Sequence, residues 1–439
     1  MQHESPHVLK KNLSNIISAM QASSDLFVKQ PGKDFIRNRK LTFSQTINFF
    51  LNMGGNTVRK ELLDFFNYDS DCVSSSAFSQ QRAKILPEAM DFLFHSFTES
   101  FTKLATYQVY RLIACDGSDL PITYNPKDMT TYRRHNSIEK NEKGYNQLHL
   151  NALYDLENRI YLDAIIQPGR HPNETQALLD MMERSKLDER TILMADRGYE
   201  SYNILAHAQE KGWNYLIRVK DLGSRGILTN LPLPDTEEFD CKLSLVLTKK
   251  QTKEIKAHPE QYRYLTNKSV CDFLDPVNNP FYTLSFRVLR FPITKDTYEC
   301  IITNLDSEEF PPEEIKKLYG LRWGIERSFR ELKYTIGLTN FHAKKVEYIL
   351  QEIFARLILY NFCERVTTGI IIQQKKTKYI YQINFAVAVV ICKQFYKGRI
   401  SPPTVEALIQ KNVIPVREGR KAPRKVRPNS AVSFLYRIS

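Results

Sequence analysis

Residues 107–120 read YQVYRLIACDGSDL, an apolar run that stops at a cluster of acids. The chain before it is helical in texture; from here it changes to strands. NQLHLNALYDL (146–156) and RIYLDAIIQPG (159–169) alternate apolar and polar residues about Leu156–Asn158, which predicts an antiparallel hairpin. ETQALLDMMERS (174–185) has the spacing of an amphipathic helix. TILMADRGY (191–199) is a buried strand ending at Asp196, ESYNILAHAQEKG (200–212) a second helix, and WNYLIRVK (213–220) a further strand. Three antiparallel strands followed by helix, strand, helix, strand is the order of a ribonuclease-H-like α/β core. No Gly-rich loop follows the first strand, which excludes a doubly wound nucleotide binder.

On the N-terminal side, LTFSQTINFFLNMGG (41–55) places Phe43, Ile47, Phe50 and Leu51 at helical spacing and ends on a glycine pair suited to a C-cap. VSSSAFSQQRAKIL (73–86) offers serine N-caps to a polar helix bearing Gln80, Gln81, Arg82 and Lys84. Two short helices with such a second member suit a helix-turn-helix-like DNA reader, although a solvated helix in a bundle has the same composition.

On the C-terminal side the regular order breaks after Lys220. Residues 222–299 combine Pro-rich and basic loops with a hairpin, YTLSFRVLRFPI and TYECIITNL about TKDT, and read as a β-rich insertion. FPPEEIKK (310–317) restarts a helix, with Pro in its first turn and two Glu favourable to the dipole. EYILQEIFARLILYNFCERV (347–366) is an apolar core helix, and PVREGRKAPRKVRPNS (415–430) is either a solvated or a phosphate-gripping tail. The expected division is a helical DNA-binding region at 1–108, the core at 109–221 and 300–380, the insertion at 222–299, and a helical region with a basic tail at 381–439.

Composition narrows the class of partner. The net charge of +13 favours a polyanion, nucleic acid above all. The seven cysteines are odd in number and contain no CxxC pair, which argues against a disulfide framework or zinc module and fits a reducing cytoplasm. No apolar run approaches the ~20 residues of a membrane span, and the N-terminus has no signal-peptide core.

The chemistry concentrates at strand ends and on one helix. Asp116 and Asp196 each follow a buried strand, where loops open onto a cleft; Asp119 is an alternative to Asp116, and strand-end position favours the latter. Oxygen ligands of this kind suit Mg²⁺ or Mn²⁺. In YGLRWGIERSFRELK (319–333), Tyr319, Arg322, Glu326 and Lys333 fall within about 60° of one another at helical pitch. Leu318, Leu321, Ile325, Phe329, Leu332 and Ile336 form a neighbouring apolar stripe, so the polar stripe borders the buried face. One carboxylate among two bases and a phenol is the mix that metal-assisted phosphodiester cleavage needs.

These residues resemble the bacterial insertion-sequence transposases of the DDE class, in the group marked by a Tyr-x2-Arg-x3-Glu-x6-Lys signature. Tyr319, Arg322, Glu326 and Lys333 match it at every position, and DRGY at 196–199 and DG at 116–117 match further motifs of the group. The resemblance extends from FSQQRAK (78–84) to the helix after Lys333. It implies a catalytic and metal-binding triad of Asp116, Asp196 and Glu326 with two Mg²⁺ or Mn²⁺ ions. Tyr319, Arg322, Lys333, Arg197 and Lys220 would contact DNA, together with Gln80, Gln81, Arg82 and Lys84. It further implies a cytoplasmic, nucleoid-associated bacterial protein that binds terminal inverted repeats in double-stranded DNA as a homodimer and inserts into target DNA. The insertion at 222–299 fits the group, but it contains no tryptophan. Trp213 and Trp323 both lie outside it, leaving Tyr262, Tyr264, Phe281 or Tyr282 to stack on a flipped base if cleavage passes through a hairpin. A transposase-derived DNA-binding protein that no longer cuts, and a ribonuclease-H-like nuclease that does not transpose, are the alternatives.

Overall fold

The computed structural model describes residues 4–37, 39–134, 143–275, 277–295, 297–372, 374 and 379–416. The basic tail expected at 415–430 lies, from 417 onward, outside the described residues.

The N-terminal region is helical: α1 (Pro6–Ala22), α2 (Phe43–Asn52), α3 (Val58–Phe65), α4 (Ser75–Arg82) and α5 (Glu88–Glu99). Side-chain caps start most of them. Thr42 and Gln45 form a reciprocal capping box before α2, each accepting the other's backbone N–H at 3.2 Å. The glycine pair does not cap α2, because the chain leaves it at Met53 in an extended conformation.

The central sheet follows. Its strands and intervening helices are β1 (Arg111–Ile122), β2 (Tyr132–Arg133), β3 (Tyr145–Asp155), β4 (Ile160–Pro168), α6 (Glu174–Arg184), β5 (Thr191–Ala195), α7 (Tyr202–Glu210) and β6 (Asn214–Val219). Then come β7 (Phe239–Thr248), α8 (Lys253–Ala257), β8 (Tyr262–Tyr264), β9 (Phe281–Thr294) and β10 (Thr297–Thr303). The order across the sheet is β2-β3-β1-β5-β6-β10-β9-β7-β8, with β4 also on β3. β1, β3 and β4 pair antiparallel, whereas β1, β5 and β6 run parallel. β10 lies antiparallel to β6, and β9 and β7 follow it. The β-rich stretch after Lys220 thus extends the central sheet and does not close a sheet of its own.

The two faces of the sheet bury different helices. Ile113, Cys115, Leu193, Ala195, Tyr215 and Ile217 pack with α6 and α7 on one side. The alternate residues Leu112, Ile192, Met194 and Leu216 face the other, as the two-residue period of a strand requires. That second face carries α9 (Pro312–Leu321) and α10 (Trp323–Arg330), which runs on as a π-helical turn over Glu331–Ile336. The turn ends at Gly337, whose φ of +91° is a conformation that favours glycine. The single helix expected from 312 onward is therefore in three pieces, with Arg322 at the first junction still in helical conformation. Leu318, Ile325, Phe329, Leu332 and Ile336 are buried as their spacing predicts, but Leu321 turns outward and is 39% exposed.

α11 (Val346–Thr368) is buried on nearly all sides, packed among α1, α2, α5 and β4. β11 (Tyr381–Ile383), α12 (Phe385–Tyr396), α13 (Pro402–Lys411) and β12 (Val413–Pro415) close the described chain, with β11 and β12 paired. No helix among the described residues is long and apolar enough to cross a membrane.

Candidate active site

Sheet register brings the two aspartates together. The last parallel pair of β1 and β5 is Ala114 opposite Met194, and Asp116 and Asp196 each lie two residues further on. Both therefore point to the face of Ala114 and Met194, on neighbouring strands about 4.8 Å apart. That is the face covered by α9 and α10, which carries Glu326.

Arg322 ties the arrangement together. Its Nη2 donates to Glu326 Oε1 at 2.9 Å, and its Nη1 stands 3.9 Å from Asp116 Oδ2. The guanidinium is almost fully buried against the rings of Tyr319 and Trp323. Asp116 is oriented by the N–H of Gly117, which donates to its Oδ1 at 2.8 Å. Asp196 accepts the N–H of Gly198 at 2.7 Å and so caps a 3-10 turn over Arg197–Tyr199. Lys333, carried to the far end of β1 by the π turn, donates to the carbonyl of Asp119 at 2.7 Å. Such turns recur at functional sites.

The carboxylates feel one another. Burial pushes Asp116 up to about 6, with Asp196 and Glu326 adding to the rise and the Gly117 N–H and Arg322 opposing it. The Tyr319 phenol is pushed up to about 12, chiefly by burial, and its hydroxyl has no hydrogen-bond partner among the described residues. Among the described residues no three His, Cys, Asp or Glu side chains stand close enough to share an ion as they are. The donor chemistry nevertheless fits a hard divalent cation, since all three groups are carboxylates and a cation would relieve the repulsion on Asp116.

Asp119, the alternative to Asp116, points to the other face and places its Oδ1 2.7 Å from His149 Nδ1. Arg197 and Lys220 line a cavity of about 750 Å³ beside the Asp196 turn, with Arg263 and Tyr264 across it.

α4 differs most from its sequence reading. Gln80 is exposed, but Gln81 and Arg82 are buried. Arg82 pairs with Glu352 of α11 at 2.8 Å and donates to Gln351 at 3.1 Å. A buried carboxylate needs a buried cation, so Arg82 belongs to the core and does not present itself to DNA. Lys84 instead lines a groove with Lys33, Arg37 and Arg39, flanked by Phe35 and Ile36. The sequence signal for this groove is the basic loop PGKDFIRNRKL at 31–41, which precedes the helical pattern of α2.

Fold and site together define a mixed α/β protein whose acidic centre is bordered by buried and exposed cations. A family model described as a transposase DDE domain matches residues 107–362, from the approach to β1 into α11, and the chain belongs to that family. It is accordingly a transposase-domain protein, of a kind found in mobile elements and acting in DNA transposition. No curated protein matches the chain. Among solved structures it is similar to the cryo-EM structure of the piggyBac transposase synaptic complex with hairpin DNA. That likeness has 9% identity and a TM-score of 0.43, over 93% of this chain and 84% of that one.

Proposed function

We propose that the chain is the transposase of a bacterial insertion sequence, acting on terminal inverted repeats by metal-dependent strand cleavage and 3′-OH strand transfer. The observation that carries this reading is the shared face of Asp116, Asp196 and Glu326, with Arg322 between two of them. The sheet order β4-β3-β1-β5-β6, antiparallel and then parallel, supports a ribonuclease-H-like core, and the β-rich stretch at 222–299 is its insertion.

Two Mg²⁺ or Mn²⁺ ions, when bound, supply charge stabilisation and an acidified water. The chain supplies the rest. Asp116, Asp196 and Glu326 would provide oxygen ligands from the middle of β1, the end of β5 and α10. β1 runs on past Asp116 to Ile122 and so does not end there as its sequence suggests. Arg322 balances the charge of Glu326 and Asp116 and would add positive charge beside a phosphate held at the centre. Lys333 reaches Asp119, three residues past Asp116 on β1, where a point charge suits the flanking phosphate. In the first step water attacks phosphorus and the 3′ oxygen leaves with a proton as a hydroxyl. In the second, that hydroxyl attacks a phosphodiester of target DNA and displaces its 3′ oxygen. Lys33, Arg37, Arg39 and Lys84 grip duplex backbone outside the centre, and two copies acting together would hold the two ends.

The test is a purified full-length chain with Mg²⁺ and duplex DNA carrying the sequences that flank its gene. A nick at the element boundary and joining of the freed 3′ end to a second duplex support the reading. Binding without nicking indicates a DNA-binding derivative, and cutting without joining indicates a nuclease.

A further inference from the structure

Behind the three carboxylates, on the opposite face of the sheet, lies a histidine with no part in the chemistry above. His149 stands on β3 directly across from Asp119 on β1 and is 6% exposed. Its Nδ1 is 2.7 Å from Asp119 Oδ1, and its Nε2 is 2.9 Å from Glu174 Oε1, an ion-pair contact out of line for a hydrogen bond. The ring fills the space beneath Gly117. A Cβ at that position would stand 2.4 Å from His149 Nε2 and 2.7 Å from Glu174 Oε1, so the residue after Asp116 has room only for hydrogen.

Each partner of the imidazole leads to one aspartate of the centre. Asp119 is three residues beyond Asp116 on the same strand, and its carbonyl receives Lys333 from the helix that bears Glu326. Glu174 is the first residue of α6, and its other oxygen lies 3.6 Å from where a Cβ of Gly198 would be. The N–H of Gly198 is the donor that orients Asp196. The ring therefore sits behind the strand of Asp116, and its partner Glu174 reaches toward the turn of Asp196. Burial alone would depress the imidazole, but pairing with Asp119 and Glu174 outweighs it and pushes it up to about 9, so it carries charge at neutral pH.

We infer that His149 is a positioning residue for the acidic centre: clamped between Asp119 and Glu174, it sets the spacing of Asp116, Asp196 and Lys333. The inference rests on the metal-dependent reading proposed above. Groups behind the ligands of a metal centre commonly change metal affinity or activity by about 10–100-fold when removed.

The test uses the full-length chain and two readouts: Mn²⁺ affinity by electron paramagnetic resonance titration without DNA, and the metal dependence of single-turnover cleavage. For His149→Phe the expected result is Mn²⁺ affinity weakened about tenfold or more. Cleavage should fall at limiting Mn²⁺ and be largely recovered at saturating Mn²⁺, with DNA affinity unchanged. Glu174→Gln is the milder companion, should His149→Phe fail to fold, and it should shift Mn²⁺ affinity in the same direction. A folded His149→Phe, or a Glu174→Gln, with wild-type Mn²⁺ affinity and metal dependence overturns the inference. If Asp116→Asn, Asp196→Asn and Glu326→Gln nonetheless lose cleavage, the proposed function stands and only the role of His149 is wrong. Wild-type protein that binds no Mn²⁺ overturns both.

Discussion

Arg322 donates to Glu326 at 2.9 Å while its other terminal nitrogen lies 3.9 Å from Asp116. A planar, buried guanidinium can serve both carboxylates at once, which an ammonium cannot do with the same reach. Arg322→Lys is therefore expected to reduce cleavage about 10–100-fold at saturating Mg²⁺, and Arg322→Ala to reduce it further. Single-turnover rates measure this, and a Lys variant with wild-type rate would show that the fork geometry is irrelevant.

Asp116 predicts a pH effect with a definite sign. Its folded value of about 6 lies above the ordinary 3.8, so the folded chain holds the proton more tightly. The resulting stability is fully present below the ordinary value and lost as pH rises through about 6. Above that, the ionised carboxylate costs at most about 3 kcal/mol in metal-free protein, and about 2 after allowance for its partial exposure. Asp116→Asn should raise the urea midpoint of EDTA-treated protein at pH 8 and leave it little changed at pH 4.

Arg82 separates a core role from a DNA-reading role. Glu352 is held down at about 2; its own burial would raise it, and Arg82 with His342 more than compensates. Arg82→Leu leaves that carboxylate buried without its cation and should cost about 3–5 kcal/mol of stability. A residue serving only as a surface contact to DNA would change stability by less than about 0.5 kcal/mol. Equilibrium unfolding without DNA distinguishes the two.

His95 gives stability that is lost in the same direction but over a higher pH range. Burial would lower it, but Asp163 and Asp91 outweigh burial and push it up to about 9. Its contribution is complete below the ordinary 6.5 and is lost as pH rises through about 9. His95→Gln should flatten the fall in stability between those values by about 1–3 kcal/mol, and the remaining slope includes His149.

The shared face of Asp116 and Asp196 was legible because strand alternation is a local property. YRLIAC and TILMA each end one residue before an aspartate, and β1 and β5 need only pair in parallel register to align Asp116 with Asp196. The stripe of Tyr319, Arg322 and Glu326 was readable from helical pitch for the same reason. Arg82 was not, because the carboxylate that claims it lies in α11, whose Gln351 is 269 residues away in sequence. The outward turn of Leu321 and the π turn that carries Lys333 have no local signature, since packing of the helix on the sheet decides them. His149 reads as one polar residue in an alternating strand until α6 brings Glu174 to it.

The central claim is that Asp116, Asp196 and Glu326 act as one centre. Its most direct test is single-turnover cleavage of end-bearing duplex DNA in Mg²⁺ by wild type, Asp116→Asn, Asp196→Asn and Glu326→Gln. Each variant should lose about a thousandfold or more, matching the several kcal/mol that metal-ion charge stabilisation supplies, while binding DNA as the wild type does. Cleavage at the wild-type rate by any one of the three would contradict the account.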